Sequence, residues 1–217
     1  TYSGKMVIDR SQRTDRTARP TCTHEQELTN FANWFAWYRS RMQLAKSSLS
    51  LSFQSVDGRY RVGYFTINSA SSNLVNVDNF DPGHKASWYA KLFAANPDGG
   101  TPLRQALANA GRIYAGKTAI TGVIDPVEYS CQKNFTILST DGYWNGSNGT
   151  QINGSTAIGN EDSTGMVIGG VTGPFADTYS ATLADVAAYY YKTDLRDSGL
   201  GNCDGALSGI TVCANQV

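Results

Sequence analysis

"FTILSTDGYWNGSNGT", Phe135–Thr150, begins with the aromatic and β-branched composition of a strand and ends in a run of Asn, Gly, Ser and Thr. Its first residues offer no polar face, the pattern of a strand covered on both sides. Asp141 stands at the junction. In an open α/β sheet, binding groups come from loops at the carboxyl ends of strands, so a carboxylate there is a candidate ligand. Asp-Gly is equally a turn dipeptide, and taken alone Asp141 reads as a turn residue. The stretch nevertheless sets the fold class: α/β, with a mainly parallel sheet flanked by helices.

Helices and strands alternate on either side of it. Thr23 and Gln26 make a capping-box pattern, and Leu28, Phe31, Phe35, Tyr38, Met42, Ala45 and Leu49 recur at three- and four-residue spacing. This predicts one long helix over residues 24–53, with Trp34 and Trp37 widening a stripe that packs on the sheet and with Arg39 and Arg41 outward. "YRVGYFTIN", Tyr60–Asn68, is apolar on both faces, as in a covered strand. Helices follow over about His84 to Ala95 and in "TPLRQALANAGRIYAG", where Pro102 suits a first turn and Leu103, Ala106, Leu107, Ala110 and Tyr114 share a face. "MVIGGV" is a weak third strand, and "ATLADVAAYYYKTDLR" a last helix with Leu183, Val186, Ala187, Tyr190 and Tyr191 inward. Strong strands are few for so much helix.

The 217 residues carry zero formal net charge, and 17% are charged, against about 25% in an average soluble domain. No global field therefore draws the chain to nucleic acid or anionic lipid. Residues 1–22 read as an irregular connector; Arg10, Arg13, Arg16 and Arg19 recur there, but Asp9 and Asp15 offset them and no aromatic residues interleave for base stacking. No apolar run reaches the roughly 20 residues of a membrane span. The start "TYSGKMVIDR" shows neither an initiator Met nor a leader, as expected of a processed or internal segment.

Four cysteines leave three connectivities open. Cys203 and Cys213 close a short Gly-containing loop, which leaves Cys22 to pair with Cys131; four buried free thiols are the alternative. Disulfides and abundant neutral polar residues fit an exported protein. With only His24 and His84, and without G-x-S-x-G, P-loop or G-x-G-x-x-G, the chain lacks the marks of nucleophilic or nucleotide chemistry. A non-enzyme is expected, with a secreted hydrolase as the distant alternative. Glu161 and Asp162 read as solvated turn residues, and the sequons at Asn145, Asn148 and Asn153 as chance matches in a mobile surface loop.

"NPDGGTPLRQAL" places Thr101 before a helix, after two glycines that admit close backbone approach. A hydroxyl there and the carboxylate of Asp141 suit Mg²⁺, a hard cation that keeps several waters. The pair "GGTPLRQAL" and "FTILSTDGYWN" resembles the second and third metal-site motifs of a von Willebrand factor A domain. Together with "LTNFANWFAWYRSRMQLAKSSLSLSF", "RYRVGYFTIN", "YSCQKNFTILSTDGYWN" and "ADTYSATLADVAAYYYKTDLR", these stretches resemble the PilY/PilC family of tip-associated adhesins of bacterial type IV pili. The resemblance implies a von Willebrand factor A-like, Rossmann-like domain over residues 23–217, incomplete because its first central strand is not in this segment.

The founding D-x-S-x-S loop of such a site is absent; "DRSQR", Asp9–Arg13, puts an arginine where the second hydroxyl belongs. The resemblance thus implies a Mg²⁺ site of MIDAS type, with Thr101 and Asp141 as metal ligands and the rest supplied from outside the chain. It further implies an extracellular place at the pilus tip after export through the periplasm. Implied partners are the remainder of the same adhesin chain, minor pilins, and host-cell or abiotic surfaces. A metal-free structural platform at the tip is the competing expectation.

Overall fold

The computed structural model describes residues 23–162, 167–168, 171–172 and 176–213. The connector 1–22, with Cys22, lies outside the described residues. The chain divides into two compact units, Thr1–Ser48 and Leu49–Val217.

The first unit holds helix α1, His24–Trp37, and the start of α2, Arg41–Ser52. The capping box forms: Gln26 N–H donates to Thr23 Oγ1 at 3.2 Å, and Thr23 N–H to Gln26 Oε1 at 2.9 Å. The single long helix expected here is instead broken at Tyr38–Ser40, because a second reciprocal cap starts α2. Ser40 N–H donates to Gln43 Oε1 and Gln43 N–H to Ser40 Oγ, both at 3.2 Å. The last carbonyls of α1 are satisfied from α2, Ala36 by Gln43 Nε2 at 3.0 Å and Trp37 by Ser47 Oγ at 2.9 Å. The aromatic stripe, expected to pack on a sheet, buries none of its residues on α1; Phe31 lies 5.8 Å from Trp34 and 6.0 Å from Phe35 between ring centroids. Arg39 is exposed, as expected, with its guanidinium 4.3 Å from the centre of the exposed Phe35 ring.

In the second unit, β1 (Arg61–Tyr64) pairs antiparallel with β2 (Val75–Asn79), a strand passed over in the sequence as polar. The register shifts between Val62 and Tyr64, where a Cβ on Gly63 would come within 2.8 Å of Val77 Cγ2 and 3.0 Å of the Val75 carbonyl. Only glycine fits so close an approach. Helix α3 (Pro82–Ala94) starts at the Asp81 cap, with His84 N–H donating to Asp81 Oδ1 at 2.8 Å. It buries Trp88 and Leu92 with Phe80; Leu49, Phe53, Val62 and Tyr64 pack around them. Edge-on Phe80 and tilted Phe53 flank the Trp88 ring at 5.7 and 4.8 Å.

Helix α4 (Leu103–Tyr114) packs on α5 (Leu183–Lys192) through a second core of Ala108, Ile158 and Val186. Gly111 admits the Tyr190 ring, which a Cβ there would strike. On α5 the buried face is Asp185, Val186 and Ala188, whereas Ala187 and Tyr191, expected inward, are exposed. In and just past "MVIGGV", β3 (Val167–Ile168) pairs antiparallel with β4 (Val171–Thr172).

All strand pairings among the described residues are antiparallel. Residues 134–140, expected as a buried strand, pair with no strand among the described residues and leave Phe135 and Ile137 79% and 75% exposed. Cys203 and Cys213 are bridged as expected; Cys131 is an exposed free thiol, and its expected partner Cys22 lies outside the described residues. The Asn-rich stretch is partly internal: Ile152 and Ile158 are buried, and Asn153 Oδ1 accepts from the N–H groups of Ser155 and Thr156 at 3.0 and 2.9 Å.

Candidate functional site

Three loops meet at the amino end of α4, which begins at Pro102 without a side-chain cap. Asn68, after β1, donates its amide to the carbonyls of Asp98, at 2.6 Å, and Gly100. Asn145, in the loop after residues 134–140, accepts from Thr101 N–H at 2.7 Å and donates its own N–H to the Thr101 carbonyl at 3.0 Å. Gly99 takes φ +63°, which glycine tolerates, and a Cβ on Gly100 would collide with the Asn145 amide. Arg104 adds a tie from α4, its guanidinium donating to the carbonyls of Gly146 at 3.0 Å and Ala181 at 2.7 Å.

The two loops that carry Thr101 and Asp141 are thus joined through Asn145. Thr101 is half-buried and Asp141 exposed. Together they offer one hydroxyl and one carboxylate, the hard oxygen chemistry that Mg²⁺ takes, but only two of about six positions in its octahedron. Among the described residues no three His, Cys, Asp or Glu side chains gather at one point. Asn68 and Asn145, which hold these loops, were not picked out by sequence reading; each is an amide just past a strand-like run, in the place where loop-bridging groups sit.

Two other polar groupings stand apart from these loops. At the carboxyl end of α4 a cleft of about 200 Å³ is lined by Tyr114, Tyr129, Gln132, Asn134, Tyr190 and Arg196, among others. Arg196 there is committed to Tyr114, Asn202 and Asp204 carbonyls and to Asp125, so its charge is not offered to a ligand. The second grouping surrounds Glu161 and Asp162, expected as solvated turn residues. Glu161 pairs with Lys192 at 2.6 Å, while Asp162 is only 1% exposed because the turn folds under the start of α5, where Asp185 accepts from the N–H groups of both residues.

The chain has homologues among type IV pilus biogenesis factors. They bear the name PilY1 in Pseudomonas aeruginosa: the strain PAK protein is 35% identical over 77% of this chain, and the PAO1 protein 30% identical over 90%. A third, from strain UCBPP-PA14, is 33% identical over 78% of the chain. The chain spans 15–18% of the length of these relatives. No family model matches it, and neither does any solved structure. No helix among the described residues is long and apolar enough to cross a membrane.

Proposed function

We propose that the chain is a segment of a type IV pilus biogenesis factor that acts outside the cell at the pilus tip, where it contacts minor pilins and host-cell or abiotic surfaces. The carrying observation is its 30–35% identity to PilY1 proteins across 77–90% of its length. In this reading the segment is a von Willebrand factor A-like domain whose sheet is completed by the rest of the parent protein. Thr101 and Asp141 contribute to a Mg²⁺ site finished by residues outside the chain. Such an ion would supply an electrophilic point for a partner's acidic group. Asn145 and Asn68 tie these loops to one another. The domain is not an enzyme.

Deleting the gene for the parent protein tests the role: surface pili should be lost or sharply reduced, and undiminished piliation would contradict it. A metal-free platform is the second reading, favoured by Asn145, whose two hydrogen bonds join the Thr101 and Asp141 loops without an ion. Asp141→Ala in the full-length protein separates the two. Loss of attachment at normal protein levels supports the metal site, whereas unchanged attachment supports the platform.

A further inference from the structure

We propose that Arg112, on the last turn of α4, is a docking point for a carboxylate carried by a protein segment outside these 217 residues. It lies at the other end of the helix from Thr101, and the proposal does not depend on a metal there. The motivating feature is a cation without an acceptor. Among the described residues the Arg112 guanidinium enters no hydrogen bond and no ion pair, and its Nε is fully buried in that state. Buried donors are normally satisfied, so an orphaned one asks for a missing acceptor. The other arginines of this core differ. Arg196 is committed to three carbonyls and Asp125, and Arg104, whose Nε is also unbonded, spends its Nη groups on the carbonyls of Gly146 and Ala181.

Capping the helix does not account for Arg112. A cation near a helix carboxyl end is favoured by the open carbonyls there. These carbonyls are already taken: Gly111 by Ala115 N–H at 2.9 Å, Arg112 by Lys117 N–H at 2.9 Å, and Ile113 by Gly116 N–H at 3.0 Å. Arg196 Nε holds the Tyr114 carbonyl at 2.6 Å and Asn202 Nδ2 the Ala115 carbonyl at 2.7 Å. The Arg112 charge reaches the Tyr190 hydroxyl, but burial holds that group protonated and it donates to the Thr150 carbonyl at 2.7 Å. Tyr190 is therefore not a counterion.

The groups beside the guanidinium select the ligand. Arg112 is half-buried and lies against Gly154, at φ +75°, where a Cβ would come within 2.5 Å of Nη2. The N–H groups of that loop are spent, Gly154 on the Gln151 carbonyl at 2.9 Å, and Ser155 and Thr156 on Asn153 Oδ1 at 3.0 and 2.9 Å. A phosphate or sulfate would find none of the backbone donors that such anions use. A carboxylate needs only two parallel N–H bonds, which the Nη pair supplies in the bidentate geometry that suits a guanidinium best. The chain spans 15–18% of the length of the PilY1 proteins, so most of a protein of that size lies outside it. An Asp or Glu from that remainder, or from a separate protein bound to it, brings the same chemistry.

The test compares the 217-residue chain with the full-length parent protein on cells. A dicarbonyl reagent that modifies free guanidinium groups should label Arg112 in the chain and several-fold less in the parent protein. Arg112→Lys should leave the melting of the chain within about 2 °C of wild type, since no internal partner is lost. In the parent protein the same substitution puts an amine where the carboxylate docks, and a water-soluble carbodiimide should then join position 112 to an Asp or Glu from outside the 217 residues. Mass spectrometry of the linked peptide assigns that acid to the parent chain or to a separate protein, and either assignment supports the proposal. Equal labelling of Arg112 in the two proteins overturns it, as does a much lower melting temperature in Arg112→Lys. The absence of a link, or a link to an acid within the 217 residues, overturns it as well.

Discussion

The two ends of α4 are held by opposite means. At its carboxyl end Arg196, 4% exposed, donates to the Tyr114 carbonyl at 2.6 Å and pairs with Asp125 at 2.5 Å, while Asn202 reaches the Ala115 and Leu195 carbonyls at 2.7 Å. Gly116, at φ +63°, leaves room for the guanidinium, since a Cβ would come within 2.8 Å of its Nη1. The disulfide Cys203–Cys213 closes the loop whose backbone Arg196 binds at Asp204. At the amino end the ties are side-chain amides in exposed loops, Asn68 and Asn145. The carboxyl end is clamped from the core, and the amino end is tied through loops that face solvent.

This contrast orders the expected effects of substitution. Arg196→Ala should be the most damaging, about 3–5 kcal/mol, because it strands Asp125 and several carbonyls around a buried charge. Denaturant unfolding of the chain measures it, and a loss below 1 kcal/mol would remove the clamp from the account. Replacing Cys203 and Cys213 by Ala should cost about 2–3 kcal/mol for so short a loop, provided the loop is not already ordered by Arg196 and Asn202. Asn145→Ala should cost about 0.5–1 kcal/mol, since it removes the exposed side-chain hydrogen bond from Thr101 N–H and leaves the backbone one in place. Thr101→Ala should stay within about 0.5 kcal/mol; a larger loss would make Thr101 a structural residue like Arg196.

Acid titration probes a separate buried carboxylate on the same core. The Asp185 pKa is lower in the folded chain than that of an ordinary carboxylate, so its stabilisation is present above the ordinary value and disappears as pH falls through the depressed one. Asp185→Asn should flatten this acid limb while leaving neutral-pH unfolding cooperative. A variant with an unchanged acid limb would show that the donors around Asp185 do not favour its charge.

Much of the helical content was legible because it depends on local chemistry. Thr23 with Gln26 and the apolar spacing from Leu103 each act within one or two turns, whereas the Asp81 cap that starts α3 at Pro82 went unread and the helix was expected from about His84. Ser40 and Gln43 carry the same reciprocal cap as Thr23 and Gln26, yet the apolar stripe runs on through them and hid the break. Strand β2 was missed because Asn76 and Asp78 alternate with Val75 and Val77, a half-covered pattern that reads as polar on average. Phe135–Thr140 reads as a strand by composition, but pairing depends on a neighbour that no local signal supplies. Asp162 looked solvated because Gly and Ser surround it in sequence; its burial comes from the turn folding under Asp185, a contact 23 residues away. At the candidate site, the loops of Thr101 and Asp141 were singled out in the sequence, whereas the amides that join them were not.

The most direct test uses cells making the full-length parent protein with Thr101→Ala and Asp141→Ala together, scored for surface attachment alongside the protein's level and melting. The account predicts wild-type abundance and melting with attachment lost. Attachment equal to wild type at equal abundance would contradict the claim that the exposed end of α4 is the part that binds.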